Sequence, residues 1–219
     1  MTTRVMLISP AISTALREAR FPASTDLGAA EPTPDTGQDS ASDALDPLGL
    51  RQAEAVRETF PRATALYVSP SHRCRRTAEI LGLDAKPLSD LAPCAMGRWQ
   101  RRTLDEVAAE EPESVAAWLS DPASAPHGGE SLLTLHTRVG HWLDNLGSGS
   151  GSGEDPGARV VAVAEPDIIR AAAVHALGAS PGSFWRIDVL PLSLTELSGR
   201  TGRWNLLGGR PLHTHTAAP

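Results

Sequence analysis

Lysine is almost absent from this chain: Lys86 is the only one, so nearly all of its basic charge is arginine. A GC-rich genome explains that bias without any functional reading. Acidic residues outnumber basic ones, giving a formal charge of −6 and a pI near 5.6. That balance excludes nucleic acid or an anionic membrane surface as the main partner. Cysteine is equally scarce. Cys74 and Cys94 stand alone, with no C-x-x-C, no metal-ligand spacing and too few thiols for a disulfide framework. The chain has no run of about 18 apolar residues that could span a membrane. Met1 to Ile8 is too short an apolar run for a signal peptide, and turns follow at once. These absences predict a cytoplasmic protein with no metal and no cofactor, whose partner is a small molecule or another protein.

The 219 residues and 41% hydrophobic content fit one well-buried α/β domain. Residues 4–8 (RVMLI) read as a strand and 13–20 as a short helix capped by Ser13. Residues 21–47, rich in Pro, Gly, Ser and Asp, read as a mobile acidic loop. A helix over 48–59, a strand over 63–69 and a helix over 71–82 follow. The stretch 88–146 is mostly helical. In its last helix Leu132, Leu135, Val139, Trp142, Leu143 and Leu146 share one buried face. Residues 147–157 form a Gly/Ser-rich connector, 158–164 a strand, and 167–178 a helix with Asp167 as N-cap. Residues 184–207 alternate and turn like a β-hairpin. Strands alternating with helices predict an α/β three-layer sandwich with a mainly parallel central sheet. The expected unit is a single domain over 1–212, followed by a tail, 213–219.

A first strand of an open α/β sheet delivers its next residues to the carboxyl edge, where such folds keep their chemistry. Here the strand in VMLISPAIST delivers Ser9-Pro10-Ala11, and none of these side chains is a competent catalyst in that context. The rest of the chain explains the oddity. ALDPLGLRQAEAV is similar to a "PLT-x-x-G-x-x-QA" helix, and YVSPSHRCRRTAEILGL to an "SP-x-x-R-x-x-x-TA-x-x-L" strand–helix unit. GRWQRRTLDEV resembles a "G-x-W-x-G" segment, PHGGESLLTLHTRV a "P-x-GGES" helix start, and VVAVAEPDIIRAAAVHALG a last core strand and helix. In that order and spacing the five segments resemble the histidine phosphatase superfamily, with its phosphoglycerate mutase-like fold, over nearly the whole chain.

The resemblance implies phosphoryl transfer through a phosphohistidine. An R-H-G histidine attacks phosphorus, a second histidine and two arginines bind the phosphoryl group, and a carboxylate protonates the leaving group. On this chain the nucleophile position falls on Pro10 and the first arginine on Ser9. The second histidine falls on Glu165, the acid position falls on or near Pro93, and the second arginine is kept as Arg73. The resemblance therefore implies a degenerate member lacking the catalytic histidines. The expected pocket comprises Ser9, Pro10, Pro93, Arg73, Glu165 and, from the PHGGES turn, Glu130.

Other side chains have ordinary readings beside functional ones. Glu165 is either an ion-pair partner filling a dead site or an acid/base whose pKa burial raises towards neutrality. Cys74, between Arg73 and Arg75, is a core residue or a thiol with a depressed pKa. Cys94 is expected to line the pocket and His127 to lie near its mouth. His72 is a solvent-facing helix residue, His136 and His141 are poorly spaced for a metal, His175 packs on a helix face, and His213 and His215 sit in the tail. Ser9 and Ser69 lack the context of a nucleophilic serine. Three functions follow in order: a pseudoenzyme that binds a ligand or partner, a repurposed lyase, isomerase or cyclase using Glu165 and Arg73, and a residual phosphomonoesterase.

Overall fold

The computed structural model describes residues 2–23, 44–57, 63–148 and 158–212. Its centre is a six-stranded mixed sheet in the order β3-β2-β4-β1-β5-β6. Strand β1 (Thr3–Ile8) runs parallel to β4 (Arg159–Val163), which runs parallel to β2 (Ala65–Val68). The two-residue β3 (Lys86–Pro87) closes that side. On the other side β5 (Ser193–Arg200) and β6 (Arg203–Pro211) form the antiparallel hairpin, so the parallel part is four strands.

Side-chain alternation along these strands builds two cores. Val5 and Leu7 share one face with Val160 and Ala162, where α6 (Leu132–Ser148) and α7 (Pro166–Leu177) pack. Met6 and Ile8 share the other with Val161 and Val163, covered by α2 (Pro47–Ala55) and α3 (His72–Leu81). Both faces of the central strands are thus apolar, which is why they read as unbroken hydrophobic runs. The expected three-layer α/β architecture is present. A smaller cluster of Met96, Trp99, Val107 and Val115 holds α4 (Leu104–Glu110) and α5 (Pro112–Ser120) together.

Several boundaries differ from the sequence reading, each for a local reason. The first helix, α1, is only Thr14–Arg17: Ser13 caps it as expected, but Ala19 turns at φ 48° and Arg20 bridges to Thr103. Both ends of the expected mobile loop belong to the fold. Phe21 packs against Trp99 and Trp118, with ring centroids 5.6 and 5.7 Å away. Leu45 is buried, and the Asp46 carboxylate caps α2 by accepting the Gly49 amide at 2.6 Å. Residues 24–43 lie outside the described residues, as do 58–62, 149–157 and the tail. Phe184 to Arg186 form part of a 3-10 turn, Pro181–Arg186, rather than the start of the hairpin. Helix α6 continues through Gly147 and Ser148 into the expected connector. Among the described residues, no helix is long and apolar enough to cross a membrane.

The periodic face of α6 is the main support of the first core, and Leu143 at its centre is fully buried. Leu143→Ala is expected to cost about 2–5 kcal/mol in urea unfolding, through lost burial and the cavity left behind. Leu177→Ala, at a site 59% exposed, is expected to stay within about 0.5 kcal/mol.

Candidate functional site

Strands β1, β2 and β4 end together, so the residues that follow meet at one sheet edge. The Ser69 amide donates to Val163 O at 2.8 Å and the Ala164 amide to Ile8 O at 2.9 Å. Arg73, in the first turn of α3, reaches Glu165, which immediately precedes α7. Its Nε lies 2.8 and 2.7 Å from the two carboxylate oxygens, and Nη2 donates a further bond to Oε2. Ser71 Oγ donates to Glu165 Oε1 at 2.6 Å, and the Cys74 thiol to the same oxygen at 3.4 Å. Burial alone would push the Glu165 carboxyl up. The Arg73 charge, with hydrogen bonds from Arg73, Ser71 and Cys74, outweighs it and holds the group below the ordinary glutamate range. Of the two readings of Glu165, the geometry fits the ion-pair partner and not the acid with a raised pKa: Arg73 holds this carboxylate in its charged form. The Cys74 thiol moves the other way from the depressed alternative, pushed well up by burial and by Glu165.

Ser9 and Pro10 are both buried at this edge. Ser9 Oγ donates to Leu190 O, accepts the Ser193 amide at 3.0 Å, and lies 3.3 Å from Ser193 Oγ. The hydroxyl is spent on tying the β1 end to the approach to β5. Pro10 accepts the Leu192 amide through its carbonyl at 3.3 Å.

Asp167 is not the N-cap of α7. Glu165 holds that position, without a side-chain capping bond, and Asp167 lies in the first turn. Its Oδ2 accepts the Cys94 amide at 2.7 Å and its Oδ1 the Ile168 amide at 2.8 Å. Burial, and then the neighbouring Glu165 charge, push the Asp167 carboxyl up to about 6. The titratable carboxyl sought at Glu165 thus sits two residues later.

Cys94 in turn lines a cavity of about 630 Å³, together with Pro93, Ala95, Met96, Glu130 and Arg138 among its walls. Arg73, Glu165, Ser9 and Pro10 are not among them. Two backbone segments cross tightly at its floor: the Glu130 amide donates to Ala95 O at 2.7 Å and the Arg98 amide to His127 O at 3.0 Å. A Cβ on Gly129 would lie 1.9 Å from Ala95 O, so only glycine permits this approach. Glu130 accepts Arg138 Nε at 3.0 Å and Nη2 at 2.7 Å, while Arg138 also donates to Asp90 O and Ala92 O at 2.7 and 3.1 Å. The Cys94 thiol donates to Glu130 O at 3.4 Å and is pushed up by burial, then by Asp167 and Glu130.

Of the six expected pocket residues, the structure joins Arg73 to Glu165, buries Ser9 and Pro10 beside them, and places Pro93 and Glu130 on the cavity wall. His127 is buried rather than open: its Nδ1 accepts the Gly129 amide at 3.0 Å and its ring centroid lies 5.1 Å from that of Trp99. His72 and His141 are exposed. The His136 and His175 rings lie 5.8 Å apart, and His175 Nε2 meets Asp144 Oδ2 at 3.3 Å. Among the described residues, no group of three His, Cys, Asp or Glu side chains could hold a metal ion. His213 and His215 lie outside the described residues. The sequence reading missed Arg138, Ser71 and the role of Asp167. Glu130 lies two residues before α6 and eight before Arg138, outside the three- and four-residue spacings that pair side chains along a helix.

Glu165→Gln is expected to cost about 3–5 kcal/mol in chemical unfolding, because it leaves Arg73 charged and part-buried without its partner. Arg73→Met combined with Glu165→Leu should cost much less than the two single changes added, and a double-mutant cycle measures the difference. Asp167 has the opposite sign. Its folded pKa lies above its unfolded one, so folding takes up a proton between about pH 4 and 6, and the ionised group opposes folding above that window. Asp167→Asn keeps an acceptor for the Cys94 amide. Thermal melts should show it more stable than wild type at pH 8, by on the order of 1–3 kcal/mol, with the gain fading towards pH 4.

The model of the histidine phosphatase superfamily (branch 1) matches residues 33–209. The bifunctional protein Rv2228c of Mycobacterium tuberculosis is 31% identical over 161 residues, 69% of this chain. The matched stretch spans only 43% of that relative. Glucosyl-3-phosphoglycerate phosphatase of the same organism is 30% identical over 166 residues, covering 71% of this chain and 74% of that protein. A mycobacterial glucosyl-3-phosphoglycerate phosphatase solved with VO3 aligns at TM-score 0.72 and 26% identity, covering 93% of this chain and 96% of the other. A phosphoserine phosphatase mutant from Entamoeba histolytica, solved with phosphoserine, shares the fold at TM-score 0.73 and 18% identity, over 96% and 98% of the two chains. With this sheet, this order of elements and a family match across most of its length, the chain belongs to the histidine phosphatase superfamily.

Proposed function

We propose that this chain, as a single domain over residues 1–212, has lost phosphohistidine-dependent phosphoryl transfer and acts by binding a small molecule or a protein partner. The observation that carries this reading is the buried Arg73–Glu165 pair. By resemblance, Arg73 is the one phosphate-binding arginine the family pattern keeps here, and its Nε and Nη2 are engaged by a carboxylate standing where the family has a histidine. A unit charge about 5 Å from a phosphoryl oxygen, at an effective dielectric near 20, is worth roughly 3 kcal/mol. Histidine replaced by glutamate turns one such attraction into a repulsion, and arginine replaced by Ser9 removes another. Pro10, at the nucleophile position, has no atom to attack phosphorus, and Pro93, at or near the acid position, no proton to donate.

The chemistry of the cavity supports binding over catalysis. Its thiol is held protonated, and the carboxylate and guanidinium that line it, Glu130 and Arg138, are bonded to each other. A repurposed lyase, isomerase or cyclase would work through Asp167, whose carboxyl titrates near pH 6, rather than through the locked Glu165. The phosphatase names of the relatives favour a third reading, a residual phosphomonoesterase.

One assay separates the first reading from the third. A panel of phosphomonoesters incubated with the full chain is expected to release no phosphate above the buffer rate. Hydrolysis that disappears in Arg73→Lys, a variant that keeps a cation opposite Glu165, would overturn the proposal and require a substitute nucleophile.

A further inference from the structure

We propose that the cavity between Pro93–Met96 and the start of α6 binds a small uncharged polyhydroxy compound. The inference rests on the binding role proposed above and gives that role a ligand class. A volume of about 630 Å³ lies within the usual range for small-molecule sites. Charge decides what enters. Among the described residues, Glu130 and Arg138 are the charged groups on its wall, and each satisfies the other through two hydrogen bonds. Arg138 also holds the carbonyls of Asp90 and Ala92, so its fork is committed on the protein side.

An anion could take Arg138 only by displacing Glu130, whose side chain is 13% exposed, and would leave that carboxylate unpaired. A cation drawn to Glu130 would meet the Arg138 charge beside it. An uncharged ligand disturbs neither. What the wall still offers it is hydrogen bonding. Thr134 Oγ1 lies 2.9 Å from Ser131 Oγ, which also accepts the Thr134 amide at 3.1 Å, and Ser89 adds another hydroxyl. Each Glu130 oxygen keeps a second lone pair, which calls for an uncharged donor such as an alcohol. Ala95 and Met96 supply small apolar surface for a carbon skeleton.

Three probes with one carbon skeleton test this by saturation-transfer NMR on the full chain: sorbitol, sorbitol 6-phosphate and N-methylglucamine. Sorbitol is expected to receive saturation from the protein and to bind at least tenfold more tightly than the dianion or the ammonium. Its signal should fall at least fivefold in both Ala95→Trp and Thr134→Trp, which fill the cavity from two exposed positions. Two variants guard against a folding failure in one, and thermal melts confirm that each is folded. No sorbitol signal in wild type, a signal that persists in both filled variants, or equal or tighter binding of either charged probe would overturn the proposal. Those results leave the loss of phosphoryl transfer standing. Arg73-dependent hydrolysis would sink that loss whatever sorbitol does.

Discussion

The bond between Arg73 and Glu165 is the constraint on which the carboxyl edge of the sheet depends. It joins the first turn of α3 to the residue before α7, two helices on opposite faces of the sheet. Taking both charges out of water is costly, and the pair is tolerable only because Ser71 and Cys74 satisfy the carboxylate further. The carboxylate also sits at the N-terminus of α7, where the helix dipole favours negative charge. Each group keeps the other ionised, so Glu165 is not a carboxyl ready to exchange a proton.

That locked charge reaches outward through Asp167. Burial pushes the Asp167 carboxyl up, and the Glu165 charge two residues before it reinforces the effect. Asp167 is nevertheless held, because it accepts the Cys94 amide and so fixes the strip of chain that walls the cavity. At this edge the Arg73 guanidinium is already bonded to an anion, Glu165. The family's fold persists because its core faces, caps and strand register do not depend on those few residues.

Much of this was legible along the chain. The two-sided apolar runs of β1 and β4 and the 3.6-residue stripe of α6 are local patterns, and they marked the central strands and the main supporting helix. The anomaly at Ser9 and Pro10 was legible too, since a strand end without a reactive group is visible in one line of sequence. Element ends were less so. Ala19 in a left-handed turn ends a helix that the sequence carries to residue 20, while Phe21 in an aromatic cluster and Asp46 as a cap lie in a stretch whose composition alone reads as loop.

The sequence by itself determined the layered α/β fold and the family, because each is written in local periodicity or in motif order. Only the tertiary structure decided the states of the acids. Whether Glu165 is a raised-pKa acid or a locked anion depends on where the Arg73 fork and the Ser71 hydroxyl point, 92 and 94 residues away. Whether Glu130 is open to ligand depends likewise on Arg138. A pKa is set by distance and burial in three dimensions, and neither is encoded in the order of neighbours along the chain.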